Sequence, residues 1–103
     1  DADYVRSIKE SGFGNISRNN LIAMKAQGIT SDYIKSIKAM GYPDISASDV
    51  IAMKAQNVTS DYLKGFNTVG FNKIKASDLI AFKALNITPA YVKSFIDAGY
   101  PDI

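Results

Sequence analysis

Seven basic side chains fall into two columns. Arg6, Lys35, Lys64 and Lys93 recur every 29 residues, and so do Lys25, Lys54 and Lys83. Evenly spaced cations are what a phosphate backbone or an acidic partner requires, so these seven are the candidate binding residues. Two features weigh against a dedicated nucleic-acid role. The formal net charge is only +2 on 103 residues, far from a strongly basic balance, and no aromatics interleave with the first column as a single-strand platform would want. That column lies opposite the apolar stripe of its helix, so an ordinary solvated face accounts for it equally well. The second column is odder. On a helical wheel Lys54 projects between Val50 and Ile51, inside the apolar arc. In the last turn it can meet the negative helix end and lift its ammonium out along an apolar stem. The expectation is a ladder of ion pairs to the next helix, Asp32 serving Lys25 and Asp61 serving Lys54. Ala90 leaves Lys83 without that partner. The alternative is an anion-binding row on the inner surface.

Catalysis finds little to work with. The chain has no His and no Cys, which removes disulfides, thiolate metal sites and most zinc, haem and iron–sulfur chemistry. Acid–base and nucleophilic mechanisms need a base set against a partner, most often His. Asp32, Asp49, Asp61 and Asp78 all sit in first helical turns, where the dipole suffices to explain them. A catalytic constellation should break the symmetry between sequence copies, and none does. The chain reads as non-enzymatic, with no cofactor. Its 47% hydrophobic and 21% charged composition is that of a soluble globular protein. The apolar runs are too short for membrane insertion, and no signal peptide is visible.

The elements that position these residues follow from self-similarity. Tyr4, Tyr33, Tyr62 and Tyr91 are spaced by 29, as are Gly12, Gly41, Gly70 and Gly99 and the isoleucines 16, 45, 74 and 103. The copies occupy 3–31, 32–60 and 61–89, with a half copy at 90–103. Each reads as two short helices. In helix A of the second copy, Tyr33, Ile34, Ile37 and Met40 form one helical stripe. Thr30 is its N-cap, and Asp32 lies in the first turn. Gly41 ends it in a left-handed conformation, with Tyr42 folding back. Thr88-Pro89 marks the same start in the half copy, proline being suited to the first helical position. In helix B, Ser46 and Asp49 have capping-box spacing. Val50, Ile51, Met53 and the alanines 47, 52 and 55 make it apolar most of the way round, hence buried. Asn57 ends it, as Gly28 and Asn86 do in the other copies. Helices of about ten residues are marginal alone, so the copies must stack, each B helix between its own A helix and the next. The fold class expected is all-α: an α-solenoid of two-helix hairpins, three and a half copies in a single domain, 1–103.

Two residues of the third copy depart from the pattern. Gly65 replaces Ser7, Ser36 and Ser94, and Lys75 replaces the capping Ser17 and Ser46. Each should cost about 1 kcal/mol, making this the least stable copy. At the far end, Ile96 replaces Lys9, Lys38 and Asn67, while Leu85 replaces Gln27 and Gln56. Phe66, Phe82 and Phe95 enlarge positions held earlier by Ile8, Met24 and Ile37. A finished solenoid end should be polar. Leu85, Phe95 and Ile96 therefore make the carboxyl-terminal end a candidate for self-association, or for continuation into a longer array.

The tyrosine at the head of each stripe, the Gly after helix A, and stretches such as Thr88-Pro89-Ala90-Tyr91 and Ala76-Ser77-Asp78-Leu79-Ile80-Ala81 resemble a known repeat. It is the short tandem helical repeat of carboxy-terminal regions in bacterial membrane metallopeptidases of the antirepressor, antibiotic-sensor type. The resemblance covers essentially the whole chain. Gln27, Gln56 and Leu85 stand where that repeat has His, and the peptidase's zinc-binding histidines have no counterpart. The resemblance implies a bacterial accessory region for protein contacts and carries over no catalytic role. The function expected is a non-catalytic scaffold for protein–protein interaction. The alternatives are a weak nucleic-acid or polyanion binder along the lysine rows, or a structural spacer. Tyr4, Tyr33, Tyr62 and Tyr91 read as core with hydroxyls at the edge, or else as a stacking ladder for a ligand. The A–B loops at 14–15, 43–44, 72–73 and 101–102 vary most freely and are candidate recognition surfaces.

Overall fold

Thr30, Thr59 and Thr88 each accept a hydrogen bond from the backbone N–H three residues on, at 3.1, 3.2 and 3.1 Å, and each opens an A helix. Asp1 does the same for the first, at 2.8 Å to Tyr4 N. Ser17 and Ser46 open B helices in this way, both at 3.1 Å, and Lys75 makes no such bond. These caps delimit the helices of the computed structural model, which describes residues 1–100. Among them the protein is all-α, with seven helices and no strand: α1 (Ala2–Glu10), α2 (Arg18–Ala26), α3 (Ser31–Ala39), α4 (Ala47–Ala55), α5 (Ser60–Thr68), α6 (Ala76–Ala84) and α7 (Pro89–Asp97). Every helix is nine residues long. The last loop, 101–102, and Ile103 of the closing phrase lie outside the described residues.

The stops are equally local. Gly41 has φ +120°, and Asn57 and Asn86 carry positive φ of 54° and 58°, the left-handed conformation those residue types tolerate. After α6, Asn86 N–H donates to Lys83 O at 3.1 Å and Ile87 N–H to Phe82 O at 2.9 Å. That bond pair is a Schellman motif, and it satisfies carbonyls the helix itself leaves open.

The chain forms two compact units, Asp1–Ala55 and the residues from Gln56 onward. In the first, α1 packs on α3 and α2 on α4; in the second, α5 packs on α7. In each unit an A helix thus packs on the next A helix, and in the first unit a B helix on the next B helix. Ile8, Met24, Ile34, Val50 and Met53 are fully buried in the first unit. In the second, the core is aromatic. Phe66 is fully buried and meets Tyr62 edge-on at 4.9 Å and Phe82 at 5.7 Å between centroids, while Phe71 closes on Phe82 at 5.8 Å. Such pairs add about 0.5–1.5 kcal/mol beyond area burial.

Gly65 is not the lapse its sequence suggests. A Cβ there would lie 2.8 Å from Cγ of Pro89, inside contact distance and against a rigid ring. In the first unit the matching residues are Ser7 and Ser31, with no ring to accommodate. Ser7 and Ser36 donate to the tyrosine carbonyl three residues back, at 2.8 and 2.6 Å. Gly65 forgoes that bond so that proline can sit at the first position of α7.

Gly65→Ser is therefore expected to destabilise by about 1–3 kcal/mol through overpacking. Pro89→Ser in the same chain should relieve it, so a double-mutant cycle by urea denaturation should give a coupling of about 1 kcal/mol or more. Lys75→Ser, by contrast, should stabilise by about 1 kcal/mol through a new cap. Additive Gly65 and Pro89 effects would disprove the pairing.

Candidate functional site

Each lysine of the second column lies over an aromatic ring. Lys25 Nζ lies 4.7 Å from the centre of the Tyr4 ring, Lys54 Nζ 5.1 Å from Tyr33, and Lys83 Nζ 5.9 Å from Tyr62. Each pair links an A helix to the last turn of the B helix that follows it. The expected Lys25–Asp32 bridge does not form. Among the described residues Lys25 is ion-paired with Asp1, at a loose 3.9 Å. The physical reason is proximity combined with exposure. The ring face is within reach, whereas an exposed carboxylate in high dielectric offers little more than water does. A cation over a tyrosine at such a site contributes about 0.5–1 kcal/mol.

The tyrosines hold more than a ring face. Tyr4 Oη donates to Ile29 O at 2.8 Å, and Tyr62 Oη donates to Ile87 O at 2.5 Å. Both carbonyls belong to the third residue beyond the end of a B helix. Each tyrosine thereby grips the B-helix end twice, by hydroxyl and by ring. Tyr33 keeps its lysine, but among the described residues its buried hydroxyl has no hydrogen-bond partner. Burial raises the pKa of Tyr4, Tyr33, Tyr42 and Tyr62 above the usual phenol value. Tyrosines 4, 33 and 62 are half-buried; the Tyr4 and Tyr62 hydroxyls bond to backbone, whereas the Tyr33 hydroxyl is buried rather than at the edge. Tyr91 is 55% exposed.

The first basic column stays on the outside. Arg6, Lys35, Lys64 and Lys93 are all exposed. Arg6 pairs with Asp3 at 3.0 Å and Lys93 with Asp97 at 2.6 Å, each on its own helix. Half the row is thus met by carboxylates of the same helix, which weakens it as a continuous anion track.

Sequence reasoning missed Lys38. Its Nζ donates to Ser11 O at 2.8 Å and lies 5.2 Å from the centre of the Phe13 ring. An α3 side chain so closes the end of α1, while the buried Ser11 hydroxyl donates to Ser7 O at 2.8 Å. The Lys9–Lys38–Asn67–Ile96 column could have signalled this only through the aromatic at 13, which alternates with Tyr along the copies.

Two surface concavities occur in the first unit. One, about 440 Å³, lies beside the first A–B loop and is lined by Gly14, Asn15, Asn20 and Ser46 among others. The other, about 460 Å³, runs between α1 and α2 and is more apolar. Tyr4, Val5, Leu21 and Ile22 form its floor, with Asp1, Arg18 and Lys25 at the rim. Ile22 is 60% exposed there, and Leu85 after α6 is 70% exposed. Among the described residues no helix is long and apolar enough to cross a membrane. The chain matches no protein-family model, no curated protein and no solved structure.

The tyrosine grip has a measurable signature. Tyr4→Phe and Tyr62→Phe should each cost about 0.5–1.5 kcal/mol by losing a hydroxyl bond, whereas Tyr33→Phe should cost nothing or stabilise. For pH, the folded tyrosines hold their protons more tightly than unfolded ones, which ionise near 10. Their contribution is fully present below that pH and falls as pH rises through the raised folded values. Denaturation midpoints should accordingly be insensitive to these groups at neutral pH and drop above about pH 10. The drop should be smaller in Tyr62→Phe.

Proposed function

We propose that the chain is a non-catalytic α-solenoid of two-helix copies that serves as a scaffold for protein–protein contacts. Support for the architecture comes from the helix starts. A helices begin at 2, 31, 60 and 89 and B helices at 18, 47 and 76, an even step of 29. Like helices pack on like within each unit, as a stacked array requires.

The observation that carries the function is which groups remain free. The inner lysines rest on tyrosine rings, and half of the outer row is paired on its own helix. Beside the outer lysines, large apolar side chains remain exposed: Ile22, Leu85, Tyr91, Phe95 and Tyr100. Tyr91 and Phe95 meet edge-on at 5.1 Å, and contiguous exposed apolar surface marks contact sites for proteins. Polyanion binding is the weaker reading, since a ligand would have to displace these internal partners.

Fluorescence anisotropy with a single-stranded oligonucleotide and with heparin separates the two. A scaffold should show no saturable binding up to about 100 μM protein at 50 mM salt. A polyanion binder using all seven cations would bind and then weaken steeply toward 200 mM, with a log–log slope of about −5. That result would replace the scaffold reading. On the scaffold reading, peptides selected from a displayed library should be apolar and bind almost equally at both salt concentrations.

A further inference from the structure

The ends of α2, α5, α6 and α7 close themselves. A backbone N–H just past each helix donates to the carbonyl five residues back: Ile29 to Met24 at 3.0 Å, and Phe71 to Phe66, Ile87 to Phe82 and Tyr100 to Phe95 at 2.9 Å. That outer bond of the Schellman motif fixes the start of the segment that follows. The end of α1 differs. Ser11 N–H donates to Ile8 O and Gly12 N–H to Lys9 O, both at 3.1 Å, but among the described residues Phe13 N–H makes no bond to Ile8 O.

A side chain from another helix stands in for the missing bond. α3 packs on α1, and Lys38 of α3 donates to Ser11 O at 2.8 Å with its ammonium 5.2 Å from the centre of the Phe13 ring. Gly12, at φ +111°, leaves room for it, since a Cβ there would run into Lys38 Nζ. Ser11 is buried and its own hydroxyl is bonded to Ser7 O, so the carbonyl that Lys38 meets is held in place. Among the described residues no carboxylate pairs with Lys38. Its ammonium is spent on the backbone and the ring, and a bond from a charged donor is roughly twice as strong as a neutral one. The segment it holds is also a wall: Gly12, Phe13, Gly14 and Asn15 line the concavity of about 440 Å³, together with Ser46 and Ala47.

We infer that Lys38 is a latch for the first A–B loop: its ammonium, rather than the backbone, holds residues 11–16 against the end of α1 and sets the shape of the concavity they line. The second unit supplies the contrast. There α7 packs on α5 as α3 does on α1, and Ile96 stands at the position of Lys38 with no donor to offer. In that unit Phe71 N–H makes the bond to Phe66 O that Phe13 N–H does not make to Ile8 O. Where the facing helix carries lysine, the loop is closed from outside; where it carries isoleucine, the loop closes itself. A closure resting on one flexible side chain opens when that side chain loses its donor, without a change in the helices.

Amide hydrogen exchange of the full chain, read residue by residue by NMR, tests this. Lys38→Met keeps the apolar stem and loses the donor. In that variant exchange at Gly12 and Ile16, whose N–H groups bond to Lys9 O and Phe13 O, should quicken about 5- to 30-fold. Val50 N–H in α4 and Phe71 N–H in the second unit should keep their wild-type rates. Lys38→Arg retains a charged donor and should exchange more slowly at Gly12 and Ile16 than Lys38→Met. If Lys38→Met loses its helicity by circular dichroism, Phe13→Leu carries the test, because it removes only the ring beneath the ammonium and should quicken exchange at the same two amides. Wild-type rates at Gly12 and Ile16 in whichever variant carries the test would overturn the latch. So would an equal rise in Lys38→Arg and Lys38→Met, or a rise shared equally by Val50, which would mean that the whole unit has loosened and not the loop.

Discussion

A tyrosine of the preceding A helix meets the chain just beyond α2 and α6, and the pairing of each A helix with its B helix depends on it. A nine-residue helix leaves nearly half its carbonyls without an internal partner and is too short to be stable alone. Tyr4 and Tyr62 each reach the carbonyl three residues beyond the B helix with a hydroxyl and accept the last-turn lysine on the ring. Helix A is thereby fastened to the end of helix B, and in the second unit also by Phe66 against Phe82, while like helices pack on like. These contacts account for a polar, aromatic side chain at the head of the apolar stripe at positions 4 and 62. A leucine would bury as much surface but would leave both the carbonyl and the ammonium unmet.

The second unit reaches the same end with different packing. Its core is built from Phe66, Phe71, Phe82 and Tyr62 in edge-on and tilted contacts, where the first unit uses Ile8, Ile37 and Met24. Gly65 and Pro89 belong to this rearrangement. Proline fixes the entry into α7 and removes an N–H that the helix could not use, and glycine opposite it makes room for the ring. The lost cap at Lys75 has no such compensation: φ is −65° and ψ 149°, a proper cap geometry without a capping oxygen.

Helix limits were legible in the sequence because capping and termination are local. Thr30, Thr59, Thr88, Gly41, Asn57 and Asn86 each act on neighbours within a few residues, so their types suffice. The partner of Lys25 was not legible, because a ring and a carboxylate compete for one flexible ammonium and only three-dimensional distance decides. Gly65 was misread for a related reason. Its cost within a helix is a local quantity, but its benefit depends on a ring 24 positions away. Lys38 escaped notice because a lysine on a polar stripe needs no explanation until its ammonium is seen on Ser11 O.

The variable columns follow from these contacts. A position can drift only when its partner drifts with it or when it has none. Ser7 and Ser36 keep their hydroxyls on a tyrosine carbonyl, and the column changes only at Gly65, where Pro89 demands it. Lys38 is held by Ser11 and Phe13. The same column carries Ile96 on α7, and Leu85 stands on the open side of α6 where earlier copies have Gln. Apolar residues in place of polar ones at an uncovered face cost solubility if that face stays in water. Ile96 is half-buried and Leu85 is 70% exposed, so of the two it is the change at 85 that turns apolar surface toward water.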